Sequence, residues 1–177
     1  MRVAREAQEQ ARLLSPRDAA DADSLFAHVE GLTVHYKLRR PPSSSSAGGS
    51  GGGGRGGGGG GGGGGVVVSC AHGFGANTYS FDRAVLQPLA TALGATVVAH
   101  DSPGFGLTER VADLSKYTPA HNAKIVRAML GVAEAEGGRG RCRRIIVGHS
   151  MAGGLLRTCT RKMLNRGRTE SARLFEH

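Results

Sequence analysis

The chain has 177 residues, enough for one domain with its own core, and its net charge of +9 is concentrated at one end. Residues 138–177 hold ten Arg or Lys against Glu170 and Glu176, a net of +8, which leaves the other 137 residues close to neutral. Few aromatics stand among these arginines, no run of about eighteen apolar residues occurs, and Cys70, Cys142 and Cys159 have neither C-x-x-C nor metal-ligand spacing, so specific nucleic-acid binding, a transmembrane anchor, a metal centre and a disulfide framework are not expected.

Residues 1–23 read as a charged leader, helical or disordered. Its first fifteen residues lack the apolar stretch of a secretory signal, and Glu6, Glu9 and Asp18 fit a transit peptide poorly. Reduced cysteines make an intracellular, cytoplasmic setting the default, with organelle targeting left open. Ser24–Val29 and Leu32–Leu38 read as two short strands joined by a turn at Glu30-Gly31. In the second, Leu32, Val34, Tyr36 and Leu38 alternate with Thr33, His35 and Lys37, the period of a half-buried strand. Pro41-Pro42 ends the pairing, because proline cannot donate to a ladder. Residues 41–65 then form a Ser/Gly-rich insert, in which Gly48–Gly65 carries 16 of the 30 glycines. Its G-x-G-x-x-G matches are trivial, since serines precede it where a nucleotide loop needs a strand.

Beyond the insert, strands and helices alternate. Val66–Cys70 is a continuous apolar run, as in a strand covered on both faces. Ser80 is placed to cap a helix with Phe81, Val85, Leu86, Leu89 and Leu93 on one face, a kink at Pro88 and a stop at Gly94. Thr96–His100 is a second buried strand. Pro119 opens a helix that turns Ala120, Ala123, Val126, Met129, Leu130 and Ala133 inward. Arg143–Gly148 is a third buried strand, and a helix is predicted from Met151 to about Asn165. The alternation implies a mostly parallel sheet, mixed by the initial antiparallel hairpin. The domain therefore spans 24–165, interrupted by the insert, with 166–177 as a basic polar tail.

Three segments carry chemistry. In Ile145–Gly154 a β-branched strand runs into Gly148-His149-Ser150-Met151-Ala152-Gly153 and then a helix. A serine on so sharp a turn needs small residues two positions away on each side, and Gly148 and Ala152 meet that need. The alanine stands where G-x-S-x-G has its last glycine. The second segment, Ser69–Phe81, places His72-Gly73-Phe74-Gly75 after a buried strand, where backbone N–H groups could approach an oxyanion. The third, Thr96–Arg110, follows a strand with Asp101 and the tight loop Pro103-Gly104-Phe105-Gly106; Asp101 reads as a loop-bonding carboxylate.

In this order and spacing the three segments resemble the alpha/beta-hydrolase superfamily, on the serine esterase and lipase side, over roughly Ser24–Leu164 apart from the insert. The resemblance implies an α/β fold ending after the nucleophile-elbow helix, and hydrolysis of an ester or related small acyl substrate without a cofactor. It implies Ser150 as nucleophile, with the N–H groups of Phe74 and Met151 as oxyanion donors. His72, Gly73, Gly75, Asp101, Gly104, Gly106, Gly148, His149, Ala152 and Gly153 then shape the motifs. A serine rather than an aspartate at the elbow points away from epoxide hydrolases and dehalogenases.

The family order places an acid and then a histidine after the nucleophile, and only 27 residues follow Ser150. The last 21 show no β-branched strand pattern. His72, His100, His149 and His177 do not hold the base position. The expectation is thus a truncated product, splice form or incomplete gene model with impaired catalysis, or a non-catalytic hydrolase-like binding module. Without a sixth strand, 145–147 would expose an apolar edge open to self-association.

Overall fold

The computed structural model describes residues 15–42, 65–137, 142–154 and 171–174. They form one six-stranded mixed sheet. The strands are β1 (Leu25–Val29), β2 (Leu32–Arg39), β3 (Val66–Ala71), β4 (Ala95–His100), β5 (Arg143–Gly148) and β6 (Ser171–Leu174), in the order β1-β2-β4-β3-β5-β6. β1 and β2 pair antiparallel, as do β2 and β4, and the remaining pairs are parallel. The hairpin turn has φ of 52° at Glu30 and 76° at Gly31. Positive φ at both central residues gives a two-residue turn the twist of its flanking strands.

Alternate residues of the central strands supply two cores. On one face Val67, Ala71, Val98 and Ile146 pack with Leu32, Val34 and Tyr36 beneath α2 (Pro119–Gly137). On the other, Val68, Cys70, Val97 and Ala99 pack with Phe81, Leu86 and Ala90 of the segment leading through α1 (Gln87–Leu93). Helices on both faces explain why the β3 and β4 runs are apolar throughout rather than alternating. Burial pushes the Cys70 thiol up to about 12, so it is a small apolar filler rather than a nucleophile.

Four expectations are corrected. The first concerns β2, which is buried on both faces: His35 and Lys37 are 1% and 2% exposed. β2 lies between β1 and β4, so its polar face is also covered. Lys37 Nζ meets Asp21, Asp23 and Asp82 at 2.7, 3.0 and 2.9 Å. Arg39 joins Asp23 and Asp82 at 2.5 and 2.7 Å. Asp21 and Asp23, at the end of the expected leader, thus pack against the sheet through these ion pairs; residues 1–14 lie outside the described residues.

The second concerns the helix expected from Ser80. Asn77 caps a 3-10 turn, Thr78–Ser80, by accepting from the Tyr79 N–H at 3.0 Å. A π turn follows over Asp82–Leu86, in which the Leu86 N–H reaches Phe81 O at 3.0 Å, and α1 begins only at Gln87. Pro88 has no N–H for the preceding turn, and the wide turn absorbs that loss where a simple kink was expected. Gly94, at φ 56°, ends α1.

In α2 the inward stripe is rotated. Ala120 is exposed, while His121, Asn122 and Ile125 are buried alongside Ala123, Val126, Met129, Leu130 and Ala133.

The last correction concerns the tail and the exposed edge. Ser171–Leu174 forms β6 and pairs in parallel with β5, Ile145 opposite Ser171 and Gly148 opposite Leu174. The edge at 145–147 is therefore occupied by β6 and is not the open edge that self-association through it would need. A strand of Ser-Ala-Arg-Leu has little intrinsic β preference; the open main-chain edge of β5 supplies the pairing. Helical residues 152–154 follow the elbow, and the rest of the predicted helix, like the insert at 43–64, lies outside the described residues.

Candidate active site

The parallel registers put His100, Ala71 and Gly148 side by side at the carboxyl ends of β4, β3 and β5. The three chemistry-bearing segments leave the sheet there, at the edge where open α/β sheets form their crevices. Ser150 has φ of 55°, a left-handed conformation that costs a β-carbon residue roughly 1–3 kcal/mol and persists only where its surroundings enforce it. Those surroundings are visible. The His149 N–H donates to Ala71 O at 3.1 Å, and the Gly153 N–H to Ser150 O at 2.8 Å. Ala152 is fully buried in the α2-side core, so its methyl tethers the turn from below.

Gly73 packs directly on this turn. A β-carbon on it would lie 2.9 Å from Ser150 Cβ and 3.1 Å from His149 Nδ1. Gly73→Ala is therefore expected to lose about 1–3 kcal/mol of stability by overpacking, measured as the urea midpoint. An unchanged midpoint would mean that the two loops do not touch.

The N–H groups of Phe74 and Met151 donate no hydrogen bond among the described residues. The side chains of both are exposed, at 79% and 41%. The Phe74 ring meets Phe105 edge-on at 5.6 Å, and Phe105 meets His72 at 5.5 Å, which gives this edge an apolar rim.

The remaining motif residues hold the loops. His72 is fully buried: the Ser102 N–H donates to its Nε2 at 2.9 Å, and its Nδ1 donates to Gly73 O at 2.7 Å. Both ring nitrogens are thus engaged in holding the loop. Asp101, 1% exposed, accepts from the Thr78 N–H at 2.7 Å, the Leu107 N–H at 2.8 Å and His35 Nδ1 at 2.8 Å. Burial raises its pKa, but the His35 and backbone hydrogen bonds outweigh that and hold it below the usual carboxylate range. Gly106, at φ 49°, leaves room for this carboxylate, since a β-carbon there would stand 1.8 Å from Asp101 Oδ2. Gly104 has φ 86° and Gly75 φ 72°. Nothing in the sequence singled out His35 as the partner of Asp101. The polar Thr33-His35-Lys37 face of a strand was the available signal, and only the pairing of β2 with β4 gave it meaning.

His100 is buried beside His72 with no partner on Nδ1 among the described residues. Burial lowers its pKa to about 4, the neighbouring His72 adds to the effect and Asp101 opposes it. Below about pH 6.5 the unfolded chain binds a proton that the folded chain refuses. Stability from this group is therefore complete above pH 6.5 and is lost as pH falls towards 4, by about 3 kcal/mol. His100→Gln should flatten urea midpoints between pH 6.5 and 4.5; parallel curves for parent and variant would remove His100 as the cause.

Ser150 is exposed and its Oγ has no hydrogen bond among the described residues, and His149, also exposed, lies against Gly73. Among the described residues no cluster of His, Cys, Asp or Glu is placed to hold a metal ion, and no helix is long and apolar enough to cross a membrane.

No curated protein matches the chain by sequence. Solved structures do resemble it in fold. A mutant epoxide hydrolase from Vigna radiata superposes with TM-score 0.60 at 18% identity, over 87% of this chain and 38% of its own. A second Vigna radiata epoxide hydrolase gives 0.58 at 19%, over 87% and 39%. A predicted CIB-like hydrolase from Thermoplasma acidophilum gives 0.56 at 21%, over 85% and 60%. The chain thus spans well under half the length of the Vigna radiata enzymes. The alpha/beta hydrolase family matches residues 70–169, which include all three loops at the sheet's carboxyl edge. With more than half of its sequence matched and the strand order and loops to go with it, this chain belongs to the alpha/beta hydrolase family.

Proposed function

We propose that this chain carries the nucleophile and oxyanion-binding part of a serine hydrolase acting on an ester or related acyl substrate. The observation that carries the reading is the left-handed backbone of Ser150 at a strand-to-helix turn, beside two undonated N–H groups. A left-handed serine at such a turn supports a role for its hydroxyl. Ser150 Oγ would attack the acyl carbon, and the carbonyl oxygen, turning into an oxyanion, would accept from the Phe74 and Met151 N–H groups. The hydroxyl proton must leave to a base, and Ser150 Oγ has none bonded to it among the described residues. Turnover by the oxyanion hole alone is expected to be weak, about 10³–10⁴-fold over water. The Phe74, Phe105 and Met151 rim favours an apolar acyl or alkyl group over a charged one. The epoxide chemistry named for the Vigna radiata enzymes is not carried over at 18–19% identity.

A fluorophosphonate probe tests this directly. Labelling should fall on the peptide containing Ser150 and disappear in Ser150→Ala. A folded chain left unlabelled, or labelled equally in the variant, would sink the nucleophile assignment. It would favour instead a hydrolase-like module that binds without turnover.

A further inference from the structure

We propose that Tyr79 and Asp21 are positioning residues, forming a brace that ties the segment before β1 to the loop carrying the Phe74 N–H. This inference rests on the assignment of Ser150 and Phe74 above. Tyr79 lies five positions after Phe74 in the loop between β3 and α1, and its hydroxyl donates to Asp21 Oδ2 at 2.6 Å. Its ring covers the buried Lys37 ammonium at 4.8 Å, and the same ammonium donates to Asp21 Oδ2 at 2.7 Å. Tyr79, Asp21 and Lys37 therefore close a triangle that joins loop, N-terminal segment and sheet.

Further fixings of the loop leave its middle as the adjustable part. Upstream, His72 is locked by Gly73 O and the Ser102 N–H. Downstream, the Thr78 N–H is held by Asp101, and Asp82 bonds Lys37 and Arg39. Between these anchors, one backbone bond is present within 73–76, from the Ala76 N–H to Gly73 O at 3.3 Å. The orientation of the Phe74 N–H thus depends on how firmly its flanks are held. Asp101 holds the Thr78 backbone from the β4 side, and Tyr79 is the loop's grip on the N-terminal segment.

An oxyanion donor matters where charge develops, so loosening this grip should affect the chemical step more than binding. It is a distinction that a merely structural contact would not produce. Tyr79 is 57% exposed, and Tyr79→Phe keeps the ring over Lys37 while removing only the hydroxyl. The fold is expected to survive, with a melting temperature close to the parent's. For the fluorophosphonate, the maximal inactivation rate in Tyr79→Phe should fall about five-fold, with the half-saturating probe concentration unchanged. Asp21→Asn should fall in the same direction, and the double variant no further than the larger single effect. Amide hydrogen exchange should rise across 72–81 in both variants and not in α2.

Equal inactivation rates in parent and Tyr79→Phe would overturn the proposal, as would a change confined to half-saturation. Unaltered exchange across 72–81 would overturn it too, even were the parent not labelled. A parent chain that exchanges as expected but takes no label at Ser150 refutes the nucleophile assignment, and with it the positioning role. The two failures are thereby distinguishable.

Discussion

Lys37→Ala is expected to lower the stability of the folded chain by about 3–5 kcal/mol. The side chain is 2% exposed and its ammonium is shared by Asp21, Asp23 and Asp82. Removing it leaves Asp82, at 11% exposure, beside two other carboxylates, with Arg39 as the remaining cation among the described residues. The cost is that of a largely buried carboxylate stripped of its nearer cation, beyond the roughly 1 kcal/mol of a surface ion pair. Burial by itself lowers the Lys37 pKa, but hydrogen bonds to the three carboxylates win and raise it. A raised lysine pKa contributes stability that is complete below the ordinary lysine value and is lost as pH climbs through the folded one. The pKa values of Asp21 and Asp23 are lowered, chiefly by hydrogen bonds from Lys37, so their contribution is lost at the acid end. Urea midpoints across pH should thus show a plateau that Lys37→Ala depresses throughout. Lys37→Met, which keeps the volume, should recover little alone and more when combined with Asp82→Asn. A loss under about 1 kcal/mol in Lys37→Ala would show that water already screens the cluster.

Asp101→Ala should cost about as much, roughly 3–5 kcal/mol, by a different route. It leaves the Thr78 N–H, the Leu107 N–H and His35 Nδ1 without their acceptor. Each stranded donor costs about 1–3 kcal/mol, and the three do not add fully because the loop can open to water. Asp101→Asn keeps one oxygen but turns an amide against at least one of these donors, so it should fall between parent and alanine. Gly106→Ala should mimic Asp101→Ala, since its methyl would occupy the carboxylate's place. Because the Asp101 pKa is depressed, its contribution is present above the ordinary aspartate value and is lost as pH falls through the folded one. Asp101→Asn should accordingly remove part of the acid sensitivity. Equal stability of Asp101→Ala and parent would mean that the loop does not depend on this carboxylate.

The elements that could be read from residue order were those whose signal is local. β-branched apolar runs marked β3, β4 and β5, and Glu30-Gly31 marked the hairpin. Pro119 marked the start of α2. The small residues around Ser150 and the glycines beside Phe74 and Asp101 were also legible, because a sharp turn or a close approach excludes larger side chains at those positions. Contacts between distant segments were not. Tyr79 meets Asp21 across 58 positions and His35 meets Asp101 across 66, and no periodicity records such a partner.

What the sequence determined by itself was therefore the alternation of strands and helices, the elbow at Ser150 and the loops facing it, since local sterics and burial period decide them. Tertiary structure alone decided that Lys37 is buried, that Asp101 is triply bonded, and that Ser171–Leu174 is a strand. In each case the deciding term is a hydrogen bond or charge pair whose partner lies far along the chain. Its strength exists only after the sheet has brought the two together and removed the water between them.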